Sequence, residues 1–349
     1  MHIGTGKAGS TSLQLFCRDN RDRLGELGLL YPKSPGNARH GRLSMSLKTE
    51  DELAITPAWD RLQQPDPTRL RRTLRRRLRN EIERSGLPRV LLSDEEVFGL
   101  SAPALRRLAG LAGRLADQLR VVVYLRRQDD HMVSRYQQGV KIGWVARLEE
   151  FARQDMAGLY NYDERLRRHE RLVAPTELVV RRFEQSSFSD GSLYQDFLDA
   201  VGVPARAADL AQVPRRNESL DAESVEFLRL LNLYRVEHEG ARVGLIDNRQ
   251  LTRRLAEVSH GPTLTLPGPV LDQFMARWEK PNRAVARRHF ADADELFRTP
   301  RKSRGTTTTQ RLDHARLDHF LEVAEMPREV HAPLRQLARR EASGRSTRS

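Results

Sequence analysis

The first fourteen residues constrain this chain more than any other stretch. Met1-His2-Ile3 reads as a very short strand, Gly4-Thr5-Gly6-Lys7-Ala8-Gly9 as a turn of small residues with one lysine, and Ser10-Thr11-Ser12-Leu13-Gln14 as the opening of a helix that continues through Leu15 and Phe16. A strand that feeds a glycine-rich turn and then a helix makes an anion cradle. The amides of a helix's first turn lack intrahelical partners, the helix dipole is positive there, and small side chains let a phosphate or sulfate approach closely.

The residue order separates two kinds of cradle. A nucleoside-triphosphatase loop reads G-x-x-x-x-G-K-[ST], with the hydroxyl after the lysine holding Mg²⁺. Here Ala8 follows Lys7, so that position carries no hydroxyl. Lys7-Ala8-Gly9-Ser10-Thr11 instead resembles K-x-G-[ST]-T, the 5′-phosphosulfate loop of sulfotransferases that use 3′-phosphoadenosine 5′-phosphosulfate (PAPS). A short match of this kind is also what a bland glycine-rich turn would show. A second segment adds to it. Val121-Val122-Val123-Tyr124-Leu125 is a branched apolar run of the kind found in buried parallel strands, and it ends on Arg126. Together with Ser134 on the following helix, it resembles the 3′-phosphate element of the same family. A forked guanidinium suits a dianionic phosphate, and a serine hydroxyl adds a neutral donor.

Weaker similarities at Leu29-Leu30-Tyr31-Pro32, at Val90 to Glu95, at Asp196-Phe197-Leu198, at Arg216 to Leu220 and at Asn282 to Phe297 extend the resemblance over about residues 1–298, to bacterial members of the sulfotransferase superfamily. The fold it implies is α/β: a P-loop NTPase-like three-layer fold with a central parallel sheet and a helix-rich C-terminal half, its helical part at about 205–298. Residues 299–349 fall outside, as a basic linker and tail with a helix at about 311–342.

The net charge of +13 directs attention to anionic partners, but the excess is arginine spread over many segments. Its densest stretch follows the cap Asp66-Pro67, where Leu70, Leu74, Leu78 and Ile82 form a narrow stripe among seven arginines between Arg69 and Arg79. That stripe reads first as a helix with a solvated face, and second as a docking surface for an anionic polymer. The single cysteine, Cys17, excludes an internal disulfide and fits a small buried hydrophobe in a reducing compartment. No signal peptide and no apolar run near 18 residues is present, so a cytoplasmic protein without an integral membrane segment is expected. The first strand is short for this family, which leaves open a start upstream of Met1. Nothing in the sequence fixes an oligomeric state.

Along the chain the periodicities predict a helix over 9–26, an irregular loop from Tyr31 to about Arg42, a helix over 66–84, a strand from Arg89 to Leu92, and a helix from Ser101 leading to the strand 121–125. After the Ser134 helix come helices at 147–156 and 162–172, the strand Glu177 to Arg182, a helix closed by Gly202, and helices at 221–238, 247–259, 268–279 and 281–297.

The resemblance implies sulfuryl transfer from PAPS to a hydroxyl of a glycan or other sugar-containing acceptor, with no metal required. Nucleotide binding falls to Gly6, Lys7, Ala8, Gly9, Ser10, Thr11, Ser12, Arg126 and Ser134, and Lys7 with the loop amides would offset charge building on the departing phosphate. The acceptor hydroxyl needs a base. Glu95 resembles, by its place at a strand end, the position where many family members carry a histidine or other base. His40, on the loop, has the better ordinary pKa for the task. The family's R-K-G loop has no match between 205 and 298; Arg215-Arg216 is a weak substitute and Arg301-Lys302-Ser303 a poorer one. Two rival readings stand beside this one. A nucleotide kinase is disfavoured by Ala8 and by Asp94 being the only metal-binding candidate, and a non-enzymatic anion or nucleic-acid binder by the lack of aromatic interleaving in the arginine-rich helix.

Overall fold

The branched run at 121–125 becomes the middle strand of a small parallel sheet because it is buried on both faces. Val121, Val123 and Leu125 point one way and Val122 and Tyr124 the other, and all five are at most 1% exposed. The computed structural model describes residues 1–56, 59, 66–213, 219–290 and 294–343. The chain is mixed α/β and rich in helix. Its elements include β1 (His2–Gly4), α1 (Ser10–Asp19), β2 (Leu29–Leu30), α2 (Gly41–Leu47), α3 (Pro67–Ser85), β3 (Arg89–Val90), α4 (Ala102–Ala112), β4 (Arg120–Leu125), α5 (Gln128–Lys141), α6 (Tyr162–Val173), β5 (Glu177–Arg182), α7 (Leu193–Val201), α8 (Ala222–His238), α9 (His314–Val323) and α10 (Arg328–Ala342), with further helices between.

By its contacts the chain forms two units. The first comprises Met1–Arg127, Met156–Arg215 and Trp278–Thr299. In it β1 pairs with β4 and β4 with β5, all parallel, with Gly4 opposite Tyr124 and Leu125 opposite Arg182. β2 pairs with β3, also parallel. The chain just past β3 then reaches β1: His2 N donates to Leu92 O at 2.7 Å and Asp94 N to His2 O at 3.1 Å. Side by side the strands therefore run β2-β3-β1-β4-β5. Leu13, Phe16 and Cys17 of α1 pack with Val122, Tyr124, Phe197 and Leu198 in one core cluster. Burial pushes the Cys17 thiol well above its ordinary pKa, so it behaves as the small hydrophobe expected.

The helix expected over 9–26 is two helices, because Asn20 interrupts it. Its side-chain amide donates to Phe16 O at 2.9 Å and to Ala211 O at 3.0 Å, and its oxygen accepts from Ala211 N at 2.7 Å. A side chain that competes for a helix carbonyl ends the helix. Part of the loop expected from Tyr31 to Arg42 runs directly into α2, and the strand expected from Arg89 to Leu92 is regular only at Arg89–Val90.

The second unit comprises Gln128–Asp155, Arg216–Arg277 and Pro300–Ser349. Its central helix α8 is buried nearly all round, with Phe227 stacked on Phe320 of α9 at 5.3 Å between centroids. Arg229 is 1% exposed and makes two bonds of 2.8 Å to Glu226, one of 2.9 Å to Val145 O, and an ion pair of 3.0 Å with Glu341 of α10. The stretch read as a linker is also stitched in: Gln310 bonds the Tyr136 hydroxyl at 2.6 Å, and Thr308 bonds Thr265 O at 3.1 Å. The single helix expected at about 311–342 is α9 and α10, separated where Glu325 takes a left-handed conformation and Pro327 precedes the next helix. Among the described residues no helix is long and apolar enough to cross a membrane. The arginines at 215–216, part of the helix expected at 281–297 and the end of the tail at 344–349 lie outside the described residues.

Candidate functional site

In the first unit, the sheet order fixes where a ligand can sit. The connection leaving β1 runs toward β2 on one side, and the connection leaving β4 runs toward β5 on the other. Their carboxyl ends therefore flank the crevice where strand order reverses, the place where open α/β sheets bind ligands. The cradle follows β1 and Arg126 follows β4, so both border that crevice.

The turn is held from beneath. Thr5 N and Thr5 Oγ1 both donate to Tyr124 O, at 3.3 and 3.1 Å, and Ala8 N donates to Thr5 O at 3.2 Å. Lys7 and Gly9 both have left-handed backbones, at φ 63° and 75°. Gly9 has a second reason to be glycine: a Cβ there would lie 2.6 Å from Leu193 Cδ2 and 2.8 Å from Phe183 Cε2. At Gly6 a Cβ would meet nothing within 4 Å, so the lip of the turn is open. α1 begins on Gly9 without a capping side chain, which leaves the amides of its first turn as donors suited to an anion. Ser10 is buried, Thr11 exposed and Ser12 half-buried. Ala8 is buried in the core cluster.

Arg126 reaches the cradle directly, donating from Nη1 to Lys7 O at 2.6 Å with its guanidinium 6.0 Å from the Phe183 ring centroid. Its own carbonyl accepts from the Tyr162 hydroxyl at 2.8 Å, which fixes the strand end. Two residues far apart in sequence and separately assigned to one nucleotide are thus brought together.

Glu95 opens a short 3₁₀ turn, Glu95–Gly99. Its Oε2 accepts from Gln14 Nε2 of α1 at 2.7 Å, and Arg39 Nε lies 3.5 Å from Oε1. Arg39 also pairs with Asp94 at 3.0 Å and with Glu96 at 2.7 Å, while Lys48 holds Glu96 at 3.0 Å. Burial opposes charge on Arg39, but the three carboxylates outweigh it and raise its pKa. Asp94 is sealed from solvent. Burial pushes its carboxyl above the usual carboxylate range, although Arg39 and the Ser44 amide pull the other way. Its oxygens already accept from Arg39, Ser44 N and Glu96 N.

His40 sits elsewhere in chemical terms. It is 0% exposed, lies against Tyr31 at 4.5 Å, accepts from Ser93 N on Nδ1 at 3.0 Å and faces Pro32 O with Nε2 at 3.0 Å. One nitrogen must accept and the other donate, so the ring is the neutral Nε2–H tautomer with both nitrogens engaged. Burial lowers its pKa to about 4.

Ser134 belongs to the second unit, half-buried on α5. In that unit, Lys302 N donates to Asp130 Oδ1 at 3.1 Å, and Arg301 pairs with Asp272 and lies 3.8 Å from Asp129. The basic turn from Arg301 is therefore seated on the first turn of the helix that carries Ser134. Sequence reasoning gave that turn little weight and missed Gln14 and Arg39 altogether. Gln14 shares a helix face with Ser10, one turn on, and that spacing was the available signal.

No family model matches the chain, and no solved structure matches it. It is similar to an uncharacterized protein of Archaeoglobus fulgidus, 26% identical over 212 residues, which is 60% of this chain and 53% of that protein. The chain thus matches about half the length of that relative.

Proposed function

We propose that this protein is a PAPS-dependent sulfotransferase acting on a hydroxyl of a glycan or other sugar-containing acceptor, on a P-loop NTPase-like three-layer fold. The observation that carries the reading is the Arg126 contact with Lys7 O at the crevice between β1 and β4. It sets a forked cation beside an uncapped helix start, which suits a nucleotide with phosphate groups at both its 5′ and 3′ ends.

In the reaction the acceptor oxygen attacks sulfur while the sulfur–oxygen bond to the 5′-phosphate breaks. The electron pair leaves on that phosphate, which the cradle amides and the Lys7 ammonium stabilise. The acceptor proton passes to Glu95. Glu95 is preferred to His40 because its carboxylate is partly exposed and tied through Gln14 to the cradle helix, whereas both His40 nitrogens are engaged. A nucleotide kinase is disfavoured by Ala8, an apolar and buried residue where that chemistry places a metal-binding hydroxyl.

The test is thermal stabilisation by adenosine 3′,5′-bisphosphate without metal, compared with ATP with and without Mg²⁺. The bisphosphate should stabilise by mass action, about 2.7 kcal/mol at a hundred times its dissociation constant. Stabilisation by ATP only when Mg²⁺ is added, equal to that by the bisphosphate, would overturn the reading.

A further inference from the structure

In the first unit, α3 and the segment from α4 to Arg114 border an open cavity of about 350 Å³. Five arginines line it: Arg71, Arg72 and Arg75 from α3, Arg107 from α4, and Arg114 just beyond. Its apolar lining is Leu47, Leu74 and Leu111, and Thr68 adds a hydroxyl. Among the described residues no carboxylate lines it.

Two of the five guanidiniums have a local duty. Arg71 donates to Ser46 O at 3.1 Å and Lys48 O at 2.9 Å, and Arg107 donates to Leu47 O at 3.0 Å and Lys48 O at 2.7 Å. Together they cap the negative end of α2. Burial and then repulsion by Arg107 lower the Arg71 pKa, although Glu50 and Asp66 act the other way. Arg72, Arg75 and Arg114 are exposed, and among the described residues no ion pair joins them to a carboxylate. Many arginines elsewhere have such partners one helical turn away, as in Arg153–Glu149, Arg167–Asp163, Arg168–Glu164 and Arg283–Glu279. The cavity gathers positive charge that the described residues leave without carboxylate partners.

We propose that this cavity is a second anion site, separate from the cradle, for a small oligoanion bearing two or more phosphate or sulfate groups. A single oxyanion is satisfied by one or two guanidinium forks, which would leave most of this charge unanswered. A small ligand is favoured over a polymer because the arginines line a concavity with an apolar floor, at the lower end of the roughly 300–1,000 Å³ range of small-molecule sites. Arg76, Arg77 and Arg79 leave the same helix outside the cavity and would serve a polymer equally well. The site stands whether or not the chain is a sulfotransferase.

The experiment is calorimetric titration of the full chain with inorganic tripolyphosphate. The variant Arg72→Gln/Arg75→Gln/Arg114→Gln should bind at least about tenfold more weakly. The control Arg76→Gln/Arg77→Gln/Arg79→Gln, with the same loss of charge, should stay within about threefold of wild type. Orthophosphate should bind wild type at least about tenfold more weakly than tripolyphosphate. If the cavity variant proves misfolded by its melting curve, Arg75→Gln alone decides, with an expected loss of about tenfold, beyond the range allowed to the control. The proposal is overturned if the deciding cavity variant matches wild type, if the control loses as much, or if orthophosphate binds as tightly as tripolyphosphate.

Discussion

The backbone N–H of Ser93 donates to Nδ1 of His40 at 3.0 Å, and that bond sets what the histidine can do. It fixes the neutral tautomer and joins the loop after β2 to the strand end that delivers Asp94 and Glu95.

The consequence for pH follows in sign. The folded-state pKa of His40, about 4, lies below the unfolded value near 6.5, so between those values the unfolded chain binds the extra proton. The stability His40 contributes is present above about pH 6.5 and is lost as pH falls toward 4, on the order of 3 kcal/mol. His169, buried beside Phe98 and lowered to about 4 by the same cause, adds to the trend. Melting temperature measured from pH 7.5 to 4.5 should fall steeply below 6.5, and His40→Gln should flatten that slope by about one proton while lowering stability at pH 7.5. An unchanged slope would show that His40 already titrates normally in the fold.

Gly9→Ala tests the cradle's shape. The added methyl meets Phe183 and Leu193 on a left-handed backbone, so a loss of about 1–3 kcal/mol is expected together with weaker nucleotide binding. Gly6→Ala, with open space around it, should be milder in stability. Denaturant unfolding of both variants checks the order.

Arg126→Ala should weaken binding of adenosine 3′,5′-bisphosphate by roughly 1.5–3 kcal/mol, the scale of a charge-assisted hydrogen bond. Because Arg126 also braces Lys7 O, adenosine 5′-phosphosulfate should lose some affinity too, but less. Equal losses for the two nucleotides would mean that Arg126 only braces the loop.

The base is tested by pairing Glu95→Gln with Gln14→Leu. The first should lower turnover by about 10²–10⁴ with nucleotide affinity nearly intact. The second leaves the carboxylate but frees it from α1, so a smaller loss in turnover is expected. Assays at saturating donor separate chemistry from binding, and turnover within about threefold of wild type for Glu95→Gln would remove it from the reaction.

What could be read in advance depended on sequence distance. The cradle is written in consecutive residues, and the placement of Arg126 beside it follows from the apolar run that had to be a buried strand. The environment of Glu95 was not legible, because Gln14 comes from the first helix and Arg39 from a loop, and each says nothing locally about its partner. The setting of His40 was hidden for a related reason: its type is visible in the sequence, but its burial against Tyr31 and its two backbone partners arise only from packing. The break at Asn20 was hidden likewise, since its partner Ala211 lies in a distant segment.

The ion pair between Arg229 and Glu341 bears on the timing of folding. Glu226 and Val145 O hold the Arg229 guanidinium, and Glu341 adds the second carboxylate, so the core around α8 is completed only once α10 has been made. The first unit likewise draws on the segment from Trp278 to Thr299. Both cores close late, which favours folding after synthesis over domain-by-domain assembly, and it makes a chain stopped before α10 a substrate for chaperones and proteases.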